Sequence, residues 1–299
     1  MVIRILGSAA GGGVPQWNCG CRQCVGARVG LVESRTQCSV AISSDGHRWI
    51  LVNASPDLRS QLLHLEWQPR GESRESPIEA VLLSDADLDH TLGLFLMREN
   101  VSSLSIHASP AIKDAVEKGL RLTEILDQYC GVSWTKPPTG FEPLPYHEAE
   151  SGLEYKAIEV DGPGPRYRRS NHRSCRLFYV LREVKTGKSV LIAPAVSRLE
   201  PQLLADLGHA DAILFDGSFW SADDFENSGI DTSSIGELLQ SHLPILDGSF
   251  KTLAAQGAIH KIYIHLNNTN PILWRESPER RLLEKVEIKV AADGMTIEL

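Results

Sequence analysis

Residues Val81–Leu94 read VLLSDADLDHTLGL, and the fold turns on how that stretch is understood. It begins inside an apolar run, Ile78 to Leu83, with the length and composition of a short buried strand. Within one residue it becomes Ser84-Asp85-Ala86-Asp87-Leu88-Asp89-His90, and an apolar segment, Leu92–Met97, follows. Three carboxylates and an imidazole therefore leave the end of a strand together. Gathered closely and all ionised, Asp85, Asp87 and Asp89 would repel one another; a cation or a raised pKa is the usual relief. Three readings compete. A solvated acidic loop, with Asp89 capping the next helix, is a common fate of such strings. A calcium loop of the EF-hand type would use the aspartates at its first, third and fifth positions. It is excluded, because His90 stands where Gly is required and Leu96 where Glu is. A transition-metal site would use Asp89 and His90 as adjacent oxygen and nitrogen ligands. The stretch alone leaves the first and third readings standing, the metal site slightly ahead.

The surrounding chain of 299 residues is 42% hydrophobic and 23% charged, enough apolar material for a large core. Its 30 Lys and Arg against 38 Asp and Glu give a net charge of −8. That balance argues against a nucleic-acid partner, which needs a basic face. No segment approaches the roughly 20 consecutive apolar residues of a membrane span. Met1–Leu6 runs into glycines without the apolar core of a signal peptide. A soluble, cytoplasmic chain forming one α/β domain over residues 1–299 is the expectation.

Alternation and turn signals predict strands at Val2–Leu6, Cys38–Ser43, Arg48–Asn53, Leu104–His107, Tyr155–Val160, Cys175–Arg182, Ser189–Ile192, Ala212–Phe215 and Lys261–His265. Helices are predicted at Pro110–Gly119, Arg121–Tyr129 and Pro278–Lys285, and around Leu58 and Leu203. Interleaved in this way, the elements suggest an α/β sandwich with polar residues gathered at strand ends. Asp216 and His265 sit at such ends; a turn residue and a satisfied strand-end histidine are their plainer readings. His107 is read as simply ending its strand. The loop Gly7–Pro15 lacks the glycine spacing of a nucleotide fingerprint, so its glycines more reasonably let the backbone run close to a site or another loop. The loop 161–174 carries Arg166, Arg168, Arg169, His172 and Arg173, suited either to an anionic substrate or to solvent.

Six cysteines are present, three of them in Cys19-Gly20-Cys21-Arg22-Gln23-Cys24. Their density over residues 17–24 favours structural zinc, with a fourth ligand from elsewhere, over three reduced thiols. Cys38, Cys130 and Cys175 are isolated and are read as buried thiols.

The layout resembles the metallo-β-lactamase superfamily, which implies a four-layer αββα sandwich. The superfamily's first ligand motif, H-x-H-x-D-H before a short helix, stands here as Asp85-x-Asp87-x-Asp89-His90. The two missing histidines normally hold the first zinc of a two-zinc hydrolase. The ligands of the second site match as Asp89, His90 and His265. Two histidines and a carboxylate form the facial triad of non-haem Fe(II) oxygenases, and zinc can occupy the same ligands in a purified sample.

A narrower resemblance spans nearly the whole chain. The glycine-rich start with Trp17-Asn18-Cys19-Gly20-Cys21, the Asp85–His90 segment, Phe215–Trp220 (FDGSFW), Ser241–Pro244 (SHLP) and His265–Pro271 (HLNNTNP) are similar to the coenzyme PQQ synthesis protein B family. Members often have Gly where this chain has Ser241. The resemblance implies a role in making pyrroloquinoline quinone (PQQ), by iron-dependent hydroxylation of the tyrosine ring in a cross-linked glutamate–tyrosine precursor. The alternative for the family is transport of PQQ or its precursor to the periplasm, which here means a soluble carrier.

On this reading Asp85 and Asp87 orient His90 or His265 or accept phenolic protons. Asp216 is a further ligand or a base, and His242 is an acid/base or substrate contact. Arg166, Arg169, His172 and Arg173 meet substrate carboxylates. Relatives place a fourth zinc ligand three residues after the late histidine; here that position is Asn268, an amide and a poor zinc ligand. A homodimer is a candidate assembly.

Overall fold

A computed structural model describes residues 1–65, 67–69, 74–146, 150–168, 174–224 and 240–299, and of residues 174 and 175 the backbone alone. Arg169, His172 and Arg173 lie outside the described residues, as does the side chain of Cys175.

The first half of the chain supplies strands β1 (Val2–Gly7), β2 (Ser39–Ser43), β3 (Trp49–Val52), β4 (Ile78–Leu82), β5 (Leu104–His107) and β6 (Val132–Thr135). The second half supplies β7 (Glu142–Pro145), β8 (Glu150–Gly162), β9 (Ser174–Glu183), β10 (Ser189–Ala193), β11 (Ala212–Asp216), β12 (His260–Ile264), β13 (Ile288–Val290) and β14 (Thr296–Glu298). They form two seven-stranded sheets, ordered β14-β1-β2-β3-β4-β5-β6 and β13-β12-β11-β10-β9-β8-β7. In each sheet an antiparallel part passes into a parallel one, β3 to β6 in the first and β10 to β13 in the second. The last strand crosses back to pair with β1 in the first sheet.

Strand period two sorts the side chains into layers. On β9, Leu177, Tyr179 and Leu181 pack with residues of the first sheet such as Ile42 and Ile50, whereas Phe178 and Val180 belong to a separate cluster. That cluster joins the outer face of the second sheet, through Leu191, Ile213 and Phe215, to Leu203, Leu253 and Leu283 of helices Pro201–Leu207, Phe250–Ala254 and Pro278–Glu284. Ile112 and Val116 of helix Pro110–Leu120 cover the first sheet likewise. Ser109 caps that helix by accepting from Ile112 N at 3.2 Å, with Pro110 in the first turn, as the sequence anticipates. The result is the expected four layers, helices outside two sheets.

Three local expectations change. β6 and β7 are missed by pattern reading: each has only four residues, Val132–Thr135 alternates merely between half-buried and exposed, and Glu142–Pro145 contains two prolines and buries Leu144 alone. β8 runs from Glu150 to Gly162, well past the predicted Tyr155–Val160, because β9 pairs with it from Leu153 to Gly162 and β7 meets it at Glu150. Cys38 is buried as expected, whereas Cys130 is partly exposed at the chain's bend before β6.

Candidate metal centre

Two pairs of parallel strands deliver the acidic stretch and the late histidine to one place. β4 ends at Leu82, and Ser84 is fixed against the end of β3 by Asn53. Asn53 takes φ +64°, donates its amide to Ser84 Oγ at 2.9 Å and accepts from Ser84 N at 2.9 Å. The short helix Leu88–Thr91 has Asp87, not Asp89, at its N-cap position, so Asp89 stands in its first turn instead of capping it. In the other sheet β11 and β12 run in register to Asp216 and Ile264, and His265 follows at φ +60°, a conformation uncommon for histidine. Tyr179 ties the two ends together: its hydroxyl donates from the second sheet to the carbonyl of Leu83, 2.9 Å away at the end of β4.

The glycine-rich loop does run against this site. It pairs with the residue after His265, Ala10 N donating to Leu266 O at 2.8 Å and Leu266 N to Ser8 O at 2.9 Å. A β-carbon at Gly11 would stand 3.3 Å from Asp89 Oδ2, so a side chain there would press on the carboxylate.

Three donor atoms converge. Asp89 Oδ2 lies 3.4 Å from His265 Nε2 and 3.7 Å from His90 Nε2. His90 is buried, and its Nε2 has no hydrogen-bond partner among the described residues. The opposite nitrogen of each ring is already engaged. His90 Nδ1 bonds Asp85 Oδ1 at 2.8 Å, and His265 Nδ1 meets Ser218 Oγ at 2.9 Å. Fixing Nδ1 orients the ring and leaves Nε2 for an ion, the arrangement usual for metal-binding histidines. An orphaned buried nitrogen beside a carboxylate and a second imidazole fits a divalent metal. Two histidines and one carboxylate suit iron or zinc alike.

The other site residues divide by what already occupies them. Both oxygens of Asp85 are taken: Oδ1 accepts from His90 and from Asp87 N at 3.0 Å, and Oδ2 accepts from Ser84 Oγ at 3.0 Å. The aspartate that replaces a superfamily histidine thus orients His90 from behind. Asp87 is 38% exposed and reaches towards Arg176, 3.7 Å from its Nη2. Asp216 is buried and accepts from Val196 N, Ser218 N, Ser218 Oγ and His242 Nδ1 at 2.7–2.9 Å. Neither oxygen is idle, and ligand atoms of Asp216, His242 and His265 also lie within 4.8 Å of one another, close enough to share an ion. His242 stacks on His265, ring centres 5.2 Å apart. Ser218, which contacts Asp216, His242 and His265, was not singled out in the sequence; its signal was its place in FDGSFW, two residues after a strand-end aspartate.

Electrostatics follow the same geometry. Burial opposes charge on His90, yet the carboxylates of Asp85 and Asp89 raise its pKa to about 9. Burial opposes ionisation of Asp85 too, but the His90 imidazolium holds it well below the usual carboxylate range. Burial and the charges of Asp85 and Asp89 lift Asp87 to about 6. Of the two reliefs expected for crowded aspartates, a cationic neighbour serves one and a raised pKa another.

A second cluster lies at the far end of the loop that begins with His265. Ligand atoms of Cys19, Cys21 and Cys24 lie within 4.8 Å of one another. Cys21 Sγ donates to the Asn268 carbonyl at 3.4 Å, and Asn268 Nδ2 donates to Cys24 Sγ at 3.3 Å. Burial pushes the Cys21 thiol up to about 12; for Cys24 burial acts the same way, but donation from Asn268 and from Gln16 N holds it below its usual value. Three thiols, one of them held below its usual pKa, fit zinc. Asn268 meets them through its amide N–H and backbone carbonyl. Of the basic loop, Arg166 is exposed, while Arg168 pairs with Asp114 at 2.8 Å.

Comparison with known proteins agrees at two levels. A family model described as Beta-lactamase superfamily domain matches residues 48–266, and with the four-layer fold and strand-end site it puts the chain in that superfamily. "Coenzyme PQQ synthesis protein B" of Cupriavidus necator is 39% identical, over 99% of both chains, and the protein of that name from Methylococcus capsulatus is 36% identical over 100% of both. The chain belongs to the coenzyme PQQ synthesis protein B family. The crystal structure of Zn(2+)-bound PqqB from Methylobacterium extorquens superposes with a TM-score of 0.88 at 34% identity, covering 100% of each chain.

Proposed function

We propose that this protein acts in PQQ biosynthesis as a non-haem Fe(II), O2-dependent hydroxylase of the tyrosine ring in a cross-linked glutamate–tyrosine precursor. The observation that carries the reading is the convergence of His90 Nε2 and His265 Nε2 on Asp89 Oδ2, with Nδ1 of each ring engaged from behind. When bound there, Fe(II) supplies the electron transfer to O2 that a closed-shell side chain does not. Asp89, His90 and His265 would hold the ion and leave its remaining positions open. Asp85 orients His90, and Ser218 and Asp216 orient His265 and His242. His242 stands beside His265 as the candidate proton carrier. Asp87, partly exposed, is the candidate acceptor of a phenolic proton. In the overall reaction one oxygen atom enters a ring C–H and the other leaves as water. Two electrons and two protons come from a two-electron reductant such as ascorbate.

The cysteine cluster is proposed as a structural zinc site. Among the described residues no helix is long and apolar enough to cross a membrane. A cytoplasmic, single-domain protein meeting a small precursor, alone or as a homodimer, is consistent with that. The test is anaerobic reconstitution with Fe(II), then O2 uptake and product mass with the cross-linked precursor and ascorbate, for wild type and His265→Ala. A gain of one or two oxygens by wild type alone is expected. Tight binding of precursor or PQQ with no mass change in either protein would replace this reading by the carrier. Cleavage of ester or phosphodiester analogues with two metals bound near Asp89 would replace it by a hydrolase.

A further inference from the structure

β9 brings a buried arginine to this centre whose hydrogen-bonding capacity the described residues leave largely unused. Arg176 is 2% exposed, and its Nε and Nη1 have no hydrogen-bond partner among the described residues. Its Nη2 stands 3.7 Å from Asp87 Oδ2, beyond hydrogen-bond range. The position is built. Leu177 N donates to Ser84 O at 2.7 Å, which stitches the start of β9 to the residue before Asp85. A β-carbon at Gly162, on the paired strand β8, would lie 2.9 Å from Arg176 Cδ and Nε, so glycine there makes room for the side chain. The charge is felt on both halves of the site: it draws Asp85 and Asp87 down and disfavours protonation of His242.

A guanidinium has five N–H donors in a planar fork and no protonation state in which to shed its charge. Burying it without acceptors costs several kcal/mol, and proteins keep such groups where a partner arrives. Asp87 is a poor resident partner, too far for a hydrogen bond and turned partly to solvent. The Nη2 side, towards Asp87, is where an outside anion would approach. Carboxylates match the fork in shape and charge.

We propose that Arg176 is a carboxylate-binding residue of this site, receiving a carboxylate of a bound aromatic acid and holding its ring before Asp89, His90 and His265. The ring's placement rests on the function proposed above; the carboxylate contact does not. It assigns substrate anchoring to a strand residue instead of the 166–173 loop.

The test uses zinc-loaded full-length protein, in which no turnover occurs, and two probes: PQQ, a planar tricarboxylate, and its trimethyl ester. Wild type should bind PQQ at least tenfold more tightly than the ester. Arg176→Met should weaken PQQ by about 10–100-fold and leave the ester nearly unchanged, and Arg176→Lys should recover part of the loss, as a point charge replaces a fork. Metal content and circular dichroism check that the variants are folded; if Met is not tolerated, the lowered PQQ-to-ester ratio in Lys carries the comparison. Equal weakening of both probes would make Arg176 a purely internal counter-ion to the aspartates and overturn the proposal. So would an unchanged ratio, or wild type that fails to prefer PQQ. Oxygen insertion by wild type with an unchanged ratio in Arg176→Met would sink the arginine's role alone. A lowered ratio without oxygen insertion would sink the hydroxylase alone.

Discussion

The Asp–His centre and the cysteine cluster stand at two ends of one loop, 265–270, and are held in different ways. At the centre each imidazole has its rear nitrogen engaged, His90 by Asp85 and His265 by Ser218, while Gly11 packs against Asp89. The donors are set before any ion arrives. The cysteines instead make weak sulfur contacts of 3.3–3.4 Å with Asn268, and Cys19 remains partly exposed. An ion at the centre would gain from a preformed cage. One at the cysteines would do much of the organising itself. Loss of an orienting group should therefore appear as metal affinity at the first site and as fold stability at the second.

The largest effect expected is at the converging donors. His265→Ala should lower iron affinity and turnover by more than the roughly 100-fold typical of orienting residues, while zinc at the cysteines persists. Metal analysis after anaerobic loading reads both. Loss of both metals together would mean that loop 265–270 unravels and that the two sites are one unit. Asp85→Asn comes next. The amide still meets His90 but cannot stabilise its charge, and iron affinity should fall by about 10–100-fold. No change would show that the cage does not depend on being preformed. Cys24→Ser should shed zinc and lower the unfolding temperature, yet cost the centre less than about tenfold in iron affinity. A loss equal to that of Asp85→Asn would break the distinction.

Much of this was legible in the chain, for reasons that particular residues make clear. β4 followed by three alternating aspartates announced a strand-end site because an apolar run cannot pass into charge without solvent or partners to receive it. His265 was legible only beside the family pattern, since a lone histidine after KIYI has no local signature. The roles behind the ligands were harder. Whether Asp85 faces a metal or the back of His90 depends on a helix starting at Asp87, and helix starts shift by a residue or two in any pattern reading. Ser218 and Arg176 escaped because their partners are far away in sequence: 47 residues to His265 for the serine, and a distant strand end for the arginine. Arg176 did leave a trace, as a charge opening the otherwise apolar CRLFYVL of β9. β6 and β7 escaped because each is a four-residue edge strand that buries little.

The smallest effect sharpens the comparison from outside both sites. His107 ends the parallel strand β5 and is buried, as His90 is in its short helix, but its neighbours are neutral: Tyr155 Oη at 2.7 Å from Nδ1 and Ser105 Oγ at 3.3 Å from Nε2. Burial pushes the tyrosine up as well, so it stays uncharged through the physiological range. With no carboxylate to offset its own burial, His107 falls to about 4, where His90 rises to about 9. A histidine held neutral in the fold adds stability that is fully present above its unfolded value, about 6.5, and is lost as pH falls towards 4, because the unfolded chain binds the proton first. Between pH 6.5 and 4.5 that difference amounts to about 2–3 kcal/mol. His107→Gln keeps a hydrogen-bonding group beside Tyr155 and removes the titration. Urea unfolding at pH 7 and pH 4.5 should show wild type losing more stability than the variant by that amount, with iron affinity at pH 7 unchanged. Equal losses would mean that His107 carries its proton in the fold, and that a carboxylate is not what separates the two buried histidines.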